Sequence, residues 1–248
     1  MPETYTAKEL ADIYAEGTRL VTARCHFLTR CVGGQPASEG GIRAFAEFHL
    51  KLAGPELDAA VKRIMDEEIG EKDATPETGE VKERESFGVN VVRHCPACRG
   101  PYLGNWMVKA CLKCAASRLG LFAAKGKIGS KGDLAEFGSV TDLSAQTQPT
   151  CSPFHVHVYA ADGKTPATTY YDRFSGRVNT PQGAKSIVHD SECLPVGATF
   201  GIKLRVPRTR LTDEDLARVF AFAQNVGLGS AKALECGKFE IDELVVGA

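Results

Sequence analysis

One pattern constrains this chain more than any other. Cys95-Pro96-Ala97-Cys98 is followed, twelve residues on, by Cys111-Leu112-Lys113-Cys114. A C-x2-C knuckle turns two sulfurs toward one point, and two knuckles supply the four soft ligands that tetrahedral zinc prefers. Redox chemistry would need a single pair beside a thioredoxin-like pattern, which this sequence lacks. Four thiolates also close the metal's coordination shell, so the zinc predicted on Cys95, Cys98, Cys111 and Cys114 is structural rather than catalytic. The surrounding stretch, residues 94–132, holds few large apolar residues, chiefly Tyr102, Leu103, Trp106 and Met107. It reads as a zinc-binding insertion in which metal replaces a core too small to form alone. Cys25, Cys31, Cys151, Cys193 and Cys236 show no ligand spacing and read as small core residues or free thiols.

Composition narrows the classes further. With 43% hydrophobic and 25% charged residues over 248 positions, the chain has the makeup of a folded globular protein. No apolar run reaches the roughly 18 residues of a membrane span, and the polar start carrying Glu3, Lys8 and Glu9 is no signal peptide. Nine cysteines in such a chain argue for thiols or metal in a reducing cytoplasm, not a disulfide framework. The formal charge of −1 conceals an asymmetry. The segment from Glu56 to Glu85 carries a net −6, leaving the remainder mildly basic at +5.

Periodicity places the elements. Val21, Ala23, Cys25 and Phe27 alternate with polar residues, as a half-buried strand requires. Ile42 to Leu52 and Leu57 to Met65 read as amphipathic helices, with Pro55 suited to a first turn. Phe87, Val89 and Val91 suggest a strand, and Phe154 to Ala160 and Phe200 to Val206 alternate clearly. Thr212 and Asp215 make a capping-box-like start to a helix buried along Leu216, Val219, Phe220 and Ala223. Gly227 can end it in a left-handed conformation, and Phe239 and Ile241 belong to a last strand. The order predicts an α+β fold with a split βαβ, ferredoxin-like arrangement.

The loop after that last helix is the second chemical signal. Gly227-Leu228-Gly229-Ser230-Ala231-Lys232 can bring backbone N–H groups close to a polyanion, with Lys232 adding charge. It lacks the spacing of a P-loop, and it follows a helix where a dinucleotide fingerprint follows a strand.

Its context adds a resemblance. Tyr171-Asp172-Arg173-Phe174-Ser175-Gly176-Arg177 is similar to a D-R-x-S/T-G signature, and Ser191-Glu192-Cys193-Leu194-Pro195-Val196-Gly197-Ala198-Thr199-Phe200 to an E-x-x-P-x-G-T-x-F signature. With the strand, helix and glycine-rich loop that follow in the same order, the chain resembles the RAMP superfamily. Within it, the likeness is to the backbone subunits of class 1 CRISPR effector complexes of types III and IV. The match runs from about Phe154 to Leu244. Earlier, Val32-Gly33-Gly34 resembles the family's first glycine loop, and Pro36-Ala37-Ser38 with Gly41 and Arg43 a compressed form of its helix start.

The resemblance implies a single RRM-like βαββαβ domain over residues 1–248 and a β-hairpin thumb within 161–190. It implies a cytoplasmic ribonucleoprotein in which copies of the chain stack as a filament along crRNA beside other effector subunits, facing a DNA or RNA target. The implied RNA contacts are Gly227, Gly229 and Lys232, then Lys125, Lys127, Lys131, Arg173 and Arg43. Type III backbone subunits cut target RNA with an aspartate in the loop after the first strand. Residues 30–41 contain Glu39 but no Asp, so no cleavage is expected. Two other readings remain. A RAMP endoribonuclease that processes CRISPR RNA also ends in a glycine-rich loop and uses a general base, for which His26, His155, His157 and His189 are available. A zinc-stabilised protein-interaction module fits the pI near 6.6. The acid-free clusters Lys125, Lys127, Lys131 and Lys203, Arg205, Arg208, Arg210 argue against it.

Overall fold

A computed structural model describes residues 5–33, 35–36, 42–43, 46–47, 52–63, 90–121, 137–144, 150–180, 183–208 and 211–247. Helix α1 (Ala7–Gly17) starts on a Thr6–Glu9 capping box and leads into strand β1 (Thr18–Phe27). Short strands β2 (Cys31–Val32) and β3 (Gln35–Pro36) precede helix α2 (Gly54–Arg63). Strands β4 (Asn90–Val91), β5 (Arg93–His94) and β6 (Pro101–Gly104) lead into helix α3 (Asn105–Arg118). Then come β7 (Thr141–Asp142), β8 (His155–Tyr159), β9 (Tyr170–Thr180), β10 (Gly183–Leu194) and β11 (Thr199–Pro207). Helix α4 (Asp213–Val226), a 3-10 turn (Lys232–Leu234) and β12 (Phe239–Val246) complete the chain. Among the described residues, no helix is long and apolar enough to cross a membrane.

The main sheet has the order β12-β1-β11-β8-β6-β5, with β7 also on β11. Every pair is antiparallel. The alternation read in β1 sets its register. Val21 and Cys25 lie opposite Leu204 and Phe200 of β11, and Phe27 lies opposite Phe239 of β12. Their side chains stay on one face and bury completely. Phe27 and Phe239 each pack against Phe200, with ring centroids 5.1 Å and 5.6 Å away. Helices α3 and α4 pack against each other over this face. Thr212 caps α4 as its sequence suggested, accepting from the N–H of Asp215 while that carboxylate accepts from Thr212 N–H.

Two expectations are corrected here. The helix standing between β1 and the next strands in the main core is α3, not the helix predicted from Ile42. Residues Ile42, Ala46, Leu57 and Val61 form a separate small cluster. The described part of the predicted insertion, residues 94–121, is also not free-standing, and the rest of it lies outside the described residues. Strand β6 pairs with β8 in the main sheet, and α3 buries Val108, Leu112, Ala115 and Ala116 in the main core. Those positions recur at helical spacing, which makes α3 amphipathic in spite of its two cysteines. The predicted strand at Phe87 begins, within the described residues, at Asn90.

Between β8 and β11 the chain leaves the sheet as a long hairpin. Strands β9 and β10 pair without interruption from Tyr170 opposite Cys193 to Thr180 opposite Gly183. The base of β10 also pairs with β2, through Cys193 with Val32 and Leu194 with Cys31. The excursion predicted over 161–190 therefore divides. Residues 161–166 make a tight turn in which the Asp162 carboxylate accepts from the Lys164 and Thr165 N–H groups and the Thr165 hydroxyl. Those three donors hold the Asp162 carboxyl down at about 2. The hairpin itself spans 170–194.

A candidate metal centre and the glycine loop

The turn between β5 and β6 is short because Cys95 N–H donates to Gly100 O (2.9 Å) and Arg99 N–H to Cys95 O (2.7 Å). Arg99 takes a positive φ of 60° to close it. That fold brings Cys95 and Cys98 to one point. Two groups from a distant stretch reach the same point: Cys151, just before β8, and His157 on β8. One donor atom from each of Cys95, Cys98, Cys151 and His157 lies within 4.8 Å of the others. Zinc–sulfur bonds of 2.3 Å in a tetrahedron put sulfurs about 3.8 Å apart, so little closing-in is needed to seat a metal. Three of the four residues are buried and Cys98 is exposed.

The surroundings fit a cation. Asp142, only 2% exposed, holds His157 Nδ1 at 2.7 Å, and its carboxylate also accepts from the Ser144 N–H and hydroxyl. This leaves His157 Nε2, buried and without a hydrogen-bond partner, as the nitrogen available to a metal. A carboxylate behind the far nitrogen is the usual support of a metal-binding histidine. Burial opposes ionisation of Cys95. The His155 and His157 imidazoles and the Cys98 and Ala97 backbone outweigh it and draw the thiol down to about 5. Cys151 is driven the other way, to about 12, by burial and by the adjacent Cys98 and Cys95 sulfurs. Crowded thiols that resist ionising together are stabilised jointly by a divalent ion.

The predicted partners Cys111 and Cys114 are not part of this group. Both lie on α3. Cys111 is buried in the main core, donates to Ala223 O (3.5 Å) and is pushed up to about 12, mainly by burial. Cys114 packs, partly buried, on the same core. Spacing alone pointed to them. Cys151 and His157 lie six residues apart, a spacing that carries weight only once β8 is known to face the knuckle. His155, on the same strand, stacks its ring on Tyr102 at 3.9 Å.

The glycine loop is also built differently from its expectation. Gly227 ends α4 with φ 75°, and its N–H donates to Ala223 O (3.1 Å). Leu228 N–H donates to Gly237 O (2.8 Å) and Ser230 N–H to Val32 O (3.0 Å). Those three donors point inward, so the loop is a clamp onto β2. A Cβ at Gly229, whose φ is +76°, would meet Val32 O at 2.3 Å, and one at Gly237 would meet Leu228 O at 1.8 Å. The glycines permit close packing within the chain. Lys232, at the end of the loop, is exposed.

The other predicted RNA contacts separate. Arg173 reaches across the hairpin to Asp190 (Nε–Oδ1 3.0 Å), and Arg43 pairs with Asp58 at 2.6 Å. Lys125, Lys127 and Lys131 lie outside the described residues. The Asp172-Arg173-Phe174 signature anchors the hairpin instead. Arg30 pairs with Asp172 and lies over the Phe174 ring, 4.6 Å from its centroid.

No protein-family model and no curated protein matches this chain. Among solved structures it is similar to a chain in the cryo-EM structure of the type III-B Cmr-beta bound to cognate target RNA. The TM-score is 0.46 and the identity 12%, over 97% of this chain and 64% of that one. It is also similar to the crystal structure of Cmr6 from Pyrococcus furiosus, with TM-score 0.32 and 12% identity, over 90% of this chain and 98% of that one. The chain thus spans just under two thirds of the length of the first.

Proposed function

We propose that this chain is a RAMP-type, guide-RNA-binding backbone subunit of a cytoplasmic class 1 CRISPR effector, built on a ferredoxin-like, RRM-like core and stapled by one structural zinc. The observation that carries the reading is the strand order. Taking β1, β8, β11 and β12 as the first to fourth core strands, the sheet runs fourth-first-third-second, all antiparallel. Helix α3 falls between the first and second, and α4 between the third and fourth. This order supports the βαββαβ reading. The long hairpin leaves between the second and third strands, where a thumb is expected. Both sequence signatures lie on it or just beyond it, on β9 and from β10 into β11.

In this reading the chain binds and does not cut. Lys232 meets phosphate by charge, and the glycine clamp fixes where Lys232 stands. Copies stack along crRNA with other effector subunits and face a DNA or RNA target. Cys95, Cys98, Cys151 and His157 would hold the zinc, which would supply a crosslink between the knuckle and β8. Three thiolates and an imidazole would fill the four positions of a structural zinc, which is a crosslinking role rather than a catalytic one.

The test is to purify the protein with its co-expressed CRISPR locus and sequence the bound RNA. Guide-length RNA is expected. Lys232→Ala should weaken binding about equally across sequences and lower the salt slope by about one phosphate's worth. Protein that binds no RNA at low salt would overturn the reading. Gly229→Val should act through stability, because its side chain collides with Val32 O. A loss of RNA binding at unchanged thermal stability would show that this loop is read wrongly.

A further inference from the structure

Glu192, at the root of the hairpin, is a buried carboxylate with an unusual number of ties. Its Oε2 accepts from Val92 N–H (3.0 Å), and its Oε1 accepts from the Thr169 hydroxyl (2.6 Å). His94 Nε2 stands 3.2 Å from the same Oε1. Its backbone oxygen accepts from Gly33 N–H (2.9 Å). One residue on β10 therefore meets three segments: its side chain the segments entering β5 and β9, and its backbone oxygen the segment after β2.

His94 is the residue directly before Cys95. Its other ring nitrogen, Nδ1, lies 3.1 Å from Arg99 O, inside the knuckle turn. The imidazole is thus wedged between the turn that presents two metal ligands and the carboxylate at the hairpin root. A buried carboxylate is costly to leave short of partners, so whatever fixes His94 also fixes Glu192.

The geometry points to Glu192 as a positioning residue that couples metal occupancy at the knuckle to the order of the β9–β10 hairpin root. This rests on the metal reading above. Without metal, the Cys95–Cys98 turn loses its crosslink to Cys151 and His157. His94 moves with the turn, and Glu192 loses a contact that helps hold β10 against β5. With metal, the turn is pinned and the hairpin leaves the sheet at one angle.

Hydrogen exchange on the full-length protein, zinc-loaded and after chelation, tests this. Elemental analysis of both samples accompanies it. Amides at the hairpin root, residues 170–174 and 190–194, should exchange at least about tenfold faster once metal is gone, while β1 and α4 keep their protection. His94→Ala should retain zinc yet exchange fast at the root in both states. Glu192→Gln, which keeps the size but loses an acceptor, should raise root exchange with zinc still bound. Metal lost with root exchange unchanged overturns the coupling and leaves the metal reading standing. Acceleration spread equally over β1 and α4 also overturns it, since the metal would then hold the whole fold. A protein that binds no zinc overturns both.

Discussion

The two C-x2-C pairs have identical spacing and opposite fates. Cys95 and Cys98 sit on a turn between two strands, where a positive φ at Arg99 and two short backbone hydrogen bonds curl the chain around its sulfurs. Cys111 and Cys114 sit on a helix. A three-residue step there is a turn of α-helix, and it sends Cys111 into the core between α3 and α4. The difference is one of backbone, not of residue type. Pro and Gly interrupt a helix, and their presence separates the two segments. Cys95-Pro96-Ala97-Cys98-Arg99-Gly100 has both, and Cys111-Leu112-Lys113-Cys114-Ala115-Ala116 has neither. The helix period Val108, Cys111, Leu112, Ala115, Ala116 was available to show it.

The sharpest way to break this comparison is to remove one ligand from each set. Cys151→Ser should abolish zinc binding, taking metal content from about one per chain to near none by elemental analysis. Cys114→Ser should leave it at one. The reverse result would return the second pair to the site and demand that α3 unwind to deliver it.

The next effect is on affinity. Asp142 uses both carboxylate oxygens as acceptors, from Ser144 and from His157. In Asp142→Asn an amide N–H2 must face one of these donors, and in either orientation the His157 ring loses the carboxylate charge behind it. Zinc affinity should fall by about 10–100-fold with the ligand set unchanged, read by competition with a chelator. An unchanged affinity would mean that His157 is not the fourth ligand.

What the sequence made legible follows from the range of the interactions. Alternation in β1 and β11, the Thr212 cap and the Gly227 stop are local, and each stands where the sequence puts it; in β8 the alternation breaks, because His157 is buried between Val156 and Val158 while Phe154 is exposed. The set of metal ligands is not local. Cys151 and His157 meet Cys95 only because β8 pairs with β6, through Tyr102 opposite His157. Nothing within a few residues of Cys151 announces that pairing. The glycine loop shows the same limit. Its sequence gives left-handed turns, but whether its N–H groups face a ligand or Val32 depends on β2, about two hundred residues earlier. The α3 helix is obscured for another reason: a metal-type cysteine spacing and a helical pattern occupy the same residues.

The smallest expected effect discriminates best between the two cysteine pairs. In Cys111→Ser a hydroxyl replaces a buried thiol that behaves as a small apolar group. Its oxygen can still donate to Ala223 O, so one hydrogen bond survives, but the more polar atom is taken out of water. The cost should be about 1–2 kcal/mol, seen as a fall of roughly 2–8 °C in thermal midpoint for a chain of this size. Zinc content should stay at one per chain. The thiol itself should resist alkylation in the native protein near neutral pH, because burial holds it at about 12 and almost none is thiolate. Fast alkylation of Cys111 in the zinc-loaded fold, or loss of metal in Cys111→Ser, would place this sulfur at a metal or at the surface. Either outcome would erase the distinction between the helix pair and the knuckle pair.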